Sequence, residues 1–135
     1  EGREYAFVVY DNMVNTIIGS TRFYDIRIAN ESLQLGFTWY GKAYQGTGVN
    51  VHCKYLLLDF AFEHMKMQRV ELRADANNAR SIQAMKSIGC SVEGILRKDG
   101  KRSDGSRRDS IILSILRDEW YDSLRQHLRQ RIERK

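Results

Sequence analysis

Gln45-Gly46-Thr47-Gly48-Val49-Asn50 is the stretch of this 135-residue chain whose residue types most directly point to chemistry. Small residues between a strand pattern and a helix pattern let consecutive backbone N–H groups converge on one point. The first turn of the helix adds its own unpaired N–H groups and the positive end of its dipole. Such a turn holds a phosphate without any long basic side chain. The same Gly-x-Gly turn is also simply a way into a helix, so the loop alone leaves both readings open. No Gly-Lys-Ser/Thr follows it, and the full spacing of a dinucleotide fingerprint is missing, so those two cofactor classes fall away.

The other reactive side chains read more plainly. Cys53 sits in a helical apolar face and Cys90 at the start of a strand, and two cysteines are too few for a disulfide framework, so both are read as reduced. His52 and His64 share one predicted helix without a second pair of ligands, and no metal site is expected. Asp99, Asp104 and Asp109 fall in a Gly- and charge-rich stretch and are read as turn and solubility residues. Asn78 reads as a helix cap and Ser81 as an ordinary hydroxyl of the following turn.

The elements that must position these groups follow from periodicity. Tyr5 to Tyr10 and Thr16 to Phe23 read as a hairpin turning at Asp11-Asn12. Leu33, Leu35, Phe37 and Trp39 alternate as a strand, followed by the glycine loop Tyr40 to Gly48. Val49, Cys53, Leu56, Leu57, Phe60, Ala61 and His64 follow helical spacing and predict an apolar face up to about Met65. Arg69 to Asp75 alternates again, and a helix over Ala79 to Ile88 is stopped by Gly89. Cys90 to Arg97 and Ser110 to Leu116 predict two antiparallel strands joined by a loop from Lys98 to Asp109. A last helix from Asp118 carries Trp120, Leu124, Leu128 and Ile132 at four-residue intervals, to dock on the sheet or on a partner.

Hydrophobic content of 42% and charged content of 29% are those of a globular domain. The apolar runs, such as Leu56 to Leu58, are far too short to cross a bilayer, and Glu1 to Tyr5 does not read as a signal peptide, so a cytoplasmic protein is expected. Much of the formal charge of +5 lies in Arg97 to Arg108 and in the tail from Arg125. No basic stripe interleaves with aromatics, and nucleic acid is not an expected partner. The chain opens without an initiator Met and almost directly in a strand pattern. The expectation is one domain over 1–135 lacking an N-terminal strand and helices.

Four segments then match a known series in order: Leu33 to Trp39, Gln45-Gly46-Thr47-Gly48, Asn78-Ala79-Arg80-Ser81 with Ile88-Gly89, and Glu93-Gly94-Ile95-Leu96-Arg97. This series resembles the GNAT superfamily of N-acetyltransferases, particularly the branch containing ribosomal-protein N-terminal acetyltransferases, which Glu119-Trp120 also suits. The resemblance implies an α/β (α+β) acyltransferase fold, a mixed and mostly antiparallel sheet flanked by helices, with acetyl-coenzyme A as co-substrate and no metal. It implies that the strand around Phe37, Thr38 and Trp39 splays from its neighbour near Arg69 and pairs with the pantetheine amides like an added strand. The N–H groups of Gln45, Gly46, Thr47, Gly48, Val49 and Asn50 would take the pyrophosphate. Asn78 and Ser81 would lie beside pantetheine and sulfur, with Ser81 protonating the thiolate, and Trp39 would touch cofactor or acceptor.

Three departures stand out. Ala43 replaces the usual Arg or Gln, only Ser81 occupies the place where many relatives have a helical tyrosine, and Lys98-Asp99-Gly100 replaces a glutamate found in the ribosomal branch. The general base is unassigned. The implied activity is acetyl transfer to a primary amine, either a protein N-terminus such as that of a ribosomal protein or a small amine. The expected partners are that acceptor and, as an assembly option, a second copy in a homodimer, with no membrane. The alternative is a non-catalytic acyl-coenzyme A sensor or interaction module.

Overall fold

The computed structural model describes residues 4–12, 15–41 and 48–133, with the backbone alone for 37–40. Strict alternation builds its centre. In β4 (Arg69–Asp75), Val70, Leu72 and Ala74 are buried in the core while Arg69, Glu71, Arg73 and Asp75 point to the opposite face. Around it stand β1 (Tyr5–Asp11), β2 (Thr16–Arg27), β3 (Ser32–Tyr40), β5 (Ser91–Lys101) and β6 (Arg107–Leu116). They form one six-stranded sheet in the order β1-β2-β3-β4-β6-β5. Among the described residues only β3 and β4 are parallel neighbours; the other adjacent pairs run antiparallel. This is the mixed α+β fold that the resemblance implies.

The helices pack on one face of the sheet. α1 (Val49–Asp59) continues into a π turn over Phe60–His64, and α2 (Ala79–Ser87) follows β4. The chain ends in α3 (Arg117–Glu119), a π turn over Trp120–Leu124, and α4 (Arg125–Glu133). Leu58, Ala61, Phe62, Trp120 and Leu128 from these segments join Phe23, Leu33, Leu35, Val70, Leu72, Leu113 and Ile115 of the sheet in one core. The stripe Trp120, Leu124, Leu128 survives because the π turn takes more than four residues per revolution and so keeps four-residue spacing in line. Gly89 ends α2 at φ 104, a left-handed conformation that suits glycine.

Two expectations are corrected. In α1 the buried residues are Lys54, Leu57 and Leu58, with Ala61 and Phe62 after them, whereas Leu56 is 56% and Phe60 44% exposed. The core-facing stripe runs through Val51, Lys54, Tyr55 and Leu58. A lysine at its centre hid it in the sequence, and the π turn then rotates the face onto Phe62. The second correction is the loop Lys98 to Asp109. β5 and β6 extend into it to Lys101 and Arg107. Here β5 carries extra residues between the pairs Leu96↔Ser110 and Gly100↔Arg108. Lys98 takes φ 51 and donates its N–H to Asp109 Oδ1 at 2.7 Å. The charge that suggested a loop belongs to a bulged, solvent-facing edge.

Among the described residues, no helix is long and apolar enough to cross a membrane.

Candidate functional site

The sheet opens at its centre. β3 and β4 pair at Ser32↔Arg69, Leu33↔Val70 and Gln34↔Glu71. Beyond Gln34 the described residues show no further pair between them, yet β3 continues to Tyr40 beside β2, and β4 continues to Asp75 beside β6. The cause is visible on the other edge of β3. Its register with β2 changes between Ser20↔Trp39 and Arg22↔Gly36, so Phe37 and Thr38 together face Thr21. One extra residue bends β3 away from β4 and strengthens its twist. Thr21 Oγ1 fastens the bend by donating to the Gly36 carbonyl at 3.2 Å. The predicted residues Phe37, Thr38 and Trp39 therefore stand where the inner edge of β3 has left its neighbour.

Two helices start at the same end of this opening, because each follows the C-terminal end of one of the parallel strands. α1 begins at Gly48, which takes φ 90, and Val49 and Asn50 are its first residues. Its N-cap makes no side-chain cap bond and its first turn holds no acid, so the N–H groups and the dipole there attract an anion without a competing carboxylate. Gln45, Gly46 and Thr47 lie outside the described residues. α2 begins after Asn78, whose Oδ1 accepts the Ser81 N–H at 3.1 Å. The capping role read for Asn78 is present, and it sets half-buried Ser81 in the first turn of the helix.

The face of the sheet away from the helices carries a charged lattice that sequence reading missed. Glu71 lies between two arginines, with Arg69 Nη2 on Oε1 at 2.6 Å and Arg73 Nε on Oε2 at 2.6 Å. Arg69 also pairs with Glu93, which accepts from Ser114 Oγ, and Arg73 reaches Asp99 at 3.6 Å. Hydrogen bonds from Arg69 and then Ser114 hold the Glu93 carboxyl below its usual range. At the far end of β4, Arg102 grips Asp75 with Nε at 2.7 Å and Nη2 at 3.1 Å. That contact, with the Asn77 N–H, holds the Asp75 carboxyl at about 2. The signal was the polar half of the Arg-Val-Glu-Leu-Arg-Ala-Asp alternation, which marks a strand but does not say which charges of other strands lie beside it.

The remaining candidates fall into structural roles. Asp104 closes a turn by accepting from Ser106, and Asp99 serves as an ion-pair partner. Burial pushes the Cys90 thiol up to about 12, which leaves no thiolate for nucleophilic work. Burial also brings Lys54 down to about 8. No group of three or more His, Cys, Asp or Glu side chains among the described residues is placed to hold a metal.

The site is thus a parallel pair that parts after Gln34↔Glu71, with the starts of α1 and α2 at its open end. Comparison with known proteins gives the cleft its family. The family profile of the acetyltransferase (GNAT) domain matches residues 1–91, more than half of the chain. The chain belongs to the GNAT acetyltransferase family. It is 30% identical over 115 residues to the Bacillus subtilis (strain 168) protein named "Probable N-acetyltransferase YjcK", covering 84% of this chain and 62% of that one. YdaF of the same organism, provisionally named a ribosomal N-acetyltransferase, is 28% identical over 115 residues, covering 85% of this chain and 60% of its own. The chain thus spans less than two thirds of the length of these relatives. A crystal structure from T. thermophilus, assigned as an acetyltransferase, superposes with a TM-score of 0.86 at 30% identity, over 97% of this chain and 68% of that one.

Proposed function

We propose that this chain is the acyl-donor-binding core of an N-acetyltransferase that moves an acetyl group from acetyl-coenzyme A to a primary amine. The observation that carries the reading is the parting of β3 from β4 after three pairs. An unpaired strand edge inside a sheet leaves N–H and C=O groups that must be satisfied, and an extended pantetheine arm with two amides suits them. In this reading the Phe37 to Trp39 backbone pairs with those amides. The N–H groups of Gln45 to Asn50 receive the pyrophosphate, helped by the acid-free first turn of α1. Asn78 and Ser81 stand beside the sulfur.

When bound, the co-substrate supplies an acetyl carbon activated as a thioester. The chain's own contribution is to hold that carbon in line with the amine nitrogen and to keep the reacting end sheltered. One N–C bond forms and one C–S bond breaks; the amine proton is released to water, and the Ser81 hydroxyl, reprotonated from water, is the proposed donor to the departing sulfur. Glu71, Glu93 and Asp99 are each held in ion pairs, which favours an amine that arrives neutral or loses its proton through water. The acceptor classes are a protein N-terminus, in line with the provisional name of YdaF, and a small aliphatic amine. The same tied carboxylates favour, as the second reading, a donor-binding sensor without turnover.

Calorimetric titration with acetyl-coenzyme A tests the reading. Binding by the unmodified chain is expected, with loss in Gly48→Glu, whose carboxylate meets the pyrophosphate. Gly48→Asn, a residue that tolerates a positive φ, is expected to retain it and so separates repulsion from backbone strain. Absence of binding by the unmodified chain sinks the proposal, and binding without acetylation of any amine selects the sensor.

A further inference from the structure

Tyr24 belongs to β2, one strand removed from the opening, but its ring lies across β3. The register sets Tyr24 opposite Gln34 and Arg22 opposite Gly36. A Cβ placed on Gly36 would stand 3.1 Å from Tyr24 Cε1 and 3.4 Å from its hydroxyl oxygen. Gly36 is therefore the gap in β3 through which the phenol passes, a use of glycine for close approach and not for backbone freedom. Gly36 is two residues beyond the last β3–β4 pair, Gln34↔Glu71. Its neighbours Leu33 and Leu35 face the core, so the ring lies on the opposite, helix-free face. The Tyr24 hydroxyl is thus at the lip of the opening, in the field of Arg73 and Glu71 across it, Arg108 on β6 and Asp25 on its own strand.

We infer that the Tyr24 hydroxyl binds the acceptor: it accepts a hydrogen bond from the incoming primary amine on the open face of the sheet and turns the nitrogen lone pair toward the acetyl carbon. This rests on the transferase reading above. The helices fill one face and bring their N-termini, the anion end of the cleft, to it. A donor arm anchored there and threaded between β3 and β4 presents its reacting end toward the other face. Among the described residues that face carries no helix and is the one left for the amine, and Tyr24 brings a hydroxyl to it next to Gly36. Burial raises the Tyr24 pKa while Arg73 opposes the rise. The phenol keeps its proton, so it orients the amine without entering the proton balance of the transfer.

The test is steady-state acetylation of short peptides with free α-amines and of aliphatic diamines by the unmodified chain, Tyr24→Phe and Gly36→Ala. Tyr24→Phe leaves the ring over Gly36 and removes one oxygen. Its acceptor KM is expected to rise about tenfold, the scale of one hydrogen bond to substrate, with acetyl-coenzyme A affinity by calorimetry unchanged. Gly36→Ala pushes the ring aside with its hydroxyl intact and is expected to raise acceptor KM in the same direction. Unchanged acceptor kinetics in Tyr24→Phe, or an equal loss of acetyl-coenzyme A affinity, overturns the inference and makes Tyr24 a packing residue. Absence of all turnover by an unmodified chain that binds acetyl-coenzyme A overturns the transferase reading and this inference together.

Discussion

The two edges of β4 differ in how far they are paired. Toward β6 the strand is paired from Arg69↔Leu116 to Asp75↔Ser110 without a break. Toward β3 the pairing stops at Gln34↔Glu71. The side chains are the same on both edges, so residue type in β4 does not explain the difference. It is made in the neighbours: β6 keeps an unbroken register with β4 and is buried over residues 110–115, whereas β3 carries the register shift opposite Thr21. A closed edge is stabilised by backbone pairs and packing. An open edge leaves the same backbone groups to be met by water or a ligand.

The largest expected effect lies on the closed edge. Leu113 is fully buried in β6, and Leu113→Ala is expected to destabilise by about 2–5 kcal/mol, read as a lower midpoint in urea unfolding. An unchanged midpoint would show that Leu113 does not contribute to the core that packs β6. A smaller effect is expected at the cleft's helix start. Asn78→Ala removes the bond to the Ser81 N–H and is expected to cost about 1 kcal/mol, while Asn78→Asp retains an acceptor and restores most of it. Equal losses in both variants would point to a role for the carboxamide other than capping.

The smallest effect is the pH dependence of the Asp75–Arg102 contact, which ties the end of β4 to the β5–β6 hairpin. The Asp75 carboxyl is lowered from 3.8 to about 2 in the folded state. Its stabilising contribution is therefore present above the unfolded value and is lost as pH falls through the folded one. Thermal melts of the unmodified chain and Asp75→Asn are expected to differ above pH 3.8 and to converge as pH falls toward 2. A difference that persists unchanged below that window would assign the effect to hydrogen bonding by the uncharged side chain.

The two helix starts were legible before the fold: Gly48 and the cap Asn78 announce themselves because glycine and asparagine act through backbone positions set by local sequence, while Gln45, Gly46 and Thr47 lie outside the described residues. The polar wall of Glu71, Arg73 and Glu93 did not announce itself, since alternation states which side chains share a face and not which strand lies beside them. Tyr24 was equally hidden. Its importance depends on Gly36 in the next strand, a pairing that only the β2–β3 register makes.

Chain-local physics decided the order of strands and helices, the apolar half of β4, the stop at Gly89 and the start of α2, because each depends on residues within a few positions. The register with its bulge, the parting of β3 from β4, the buried placement of Lys54 and the meeting of Tyr24 with Gly36 were decided only by tertiary structure. They depend on groups distant in sequence competing for the same space and the same backbone partners.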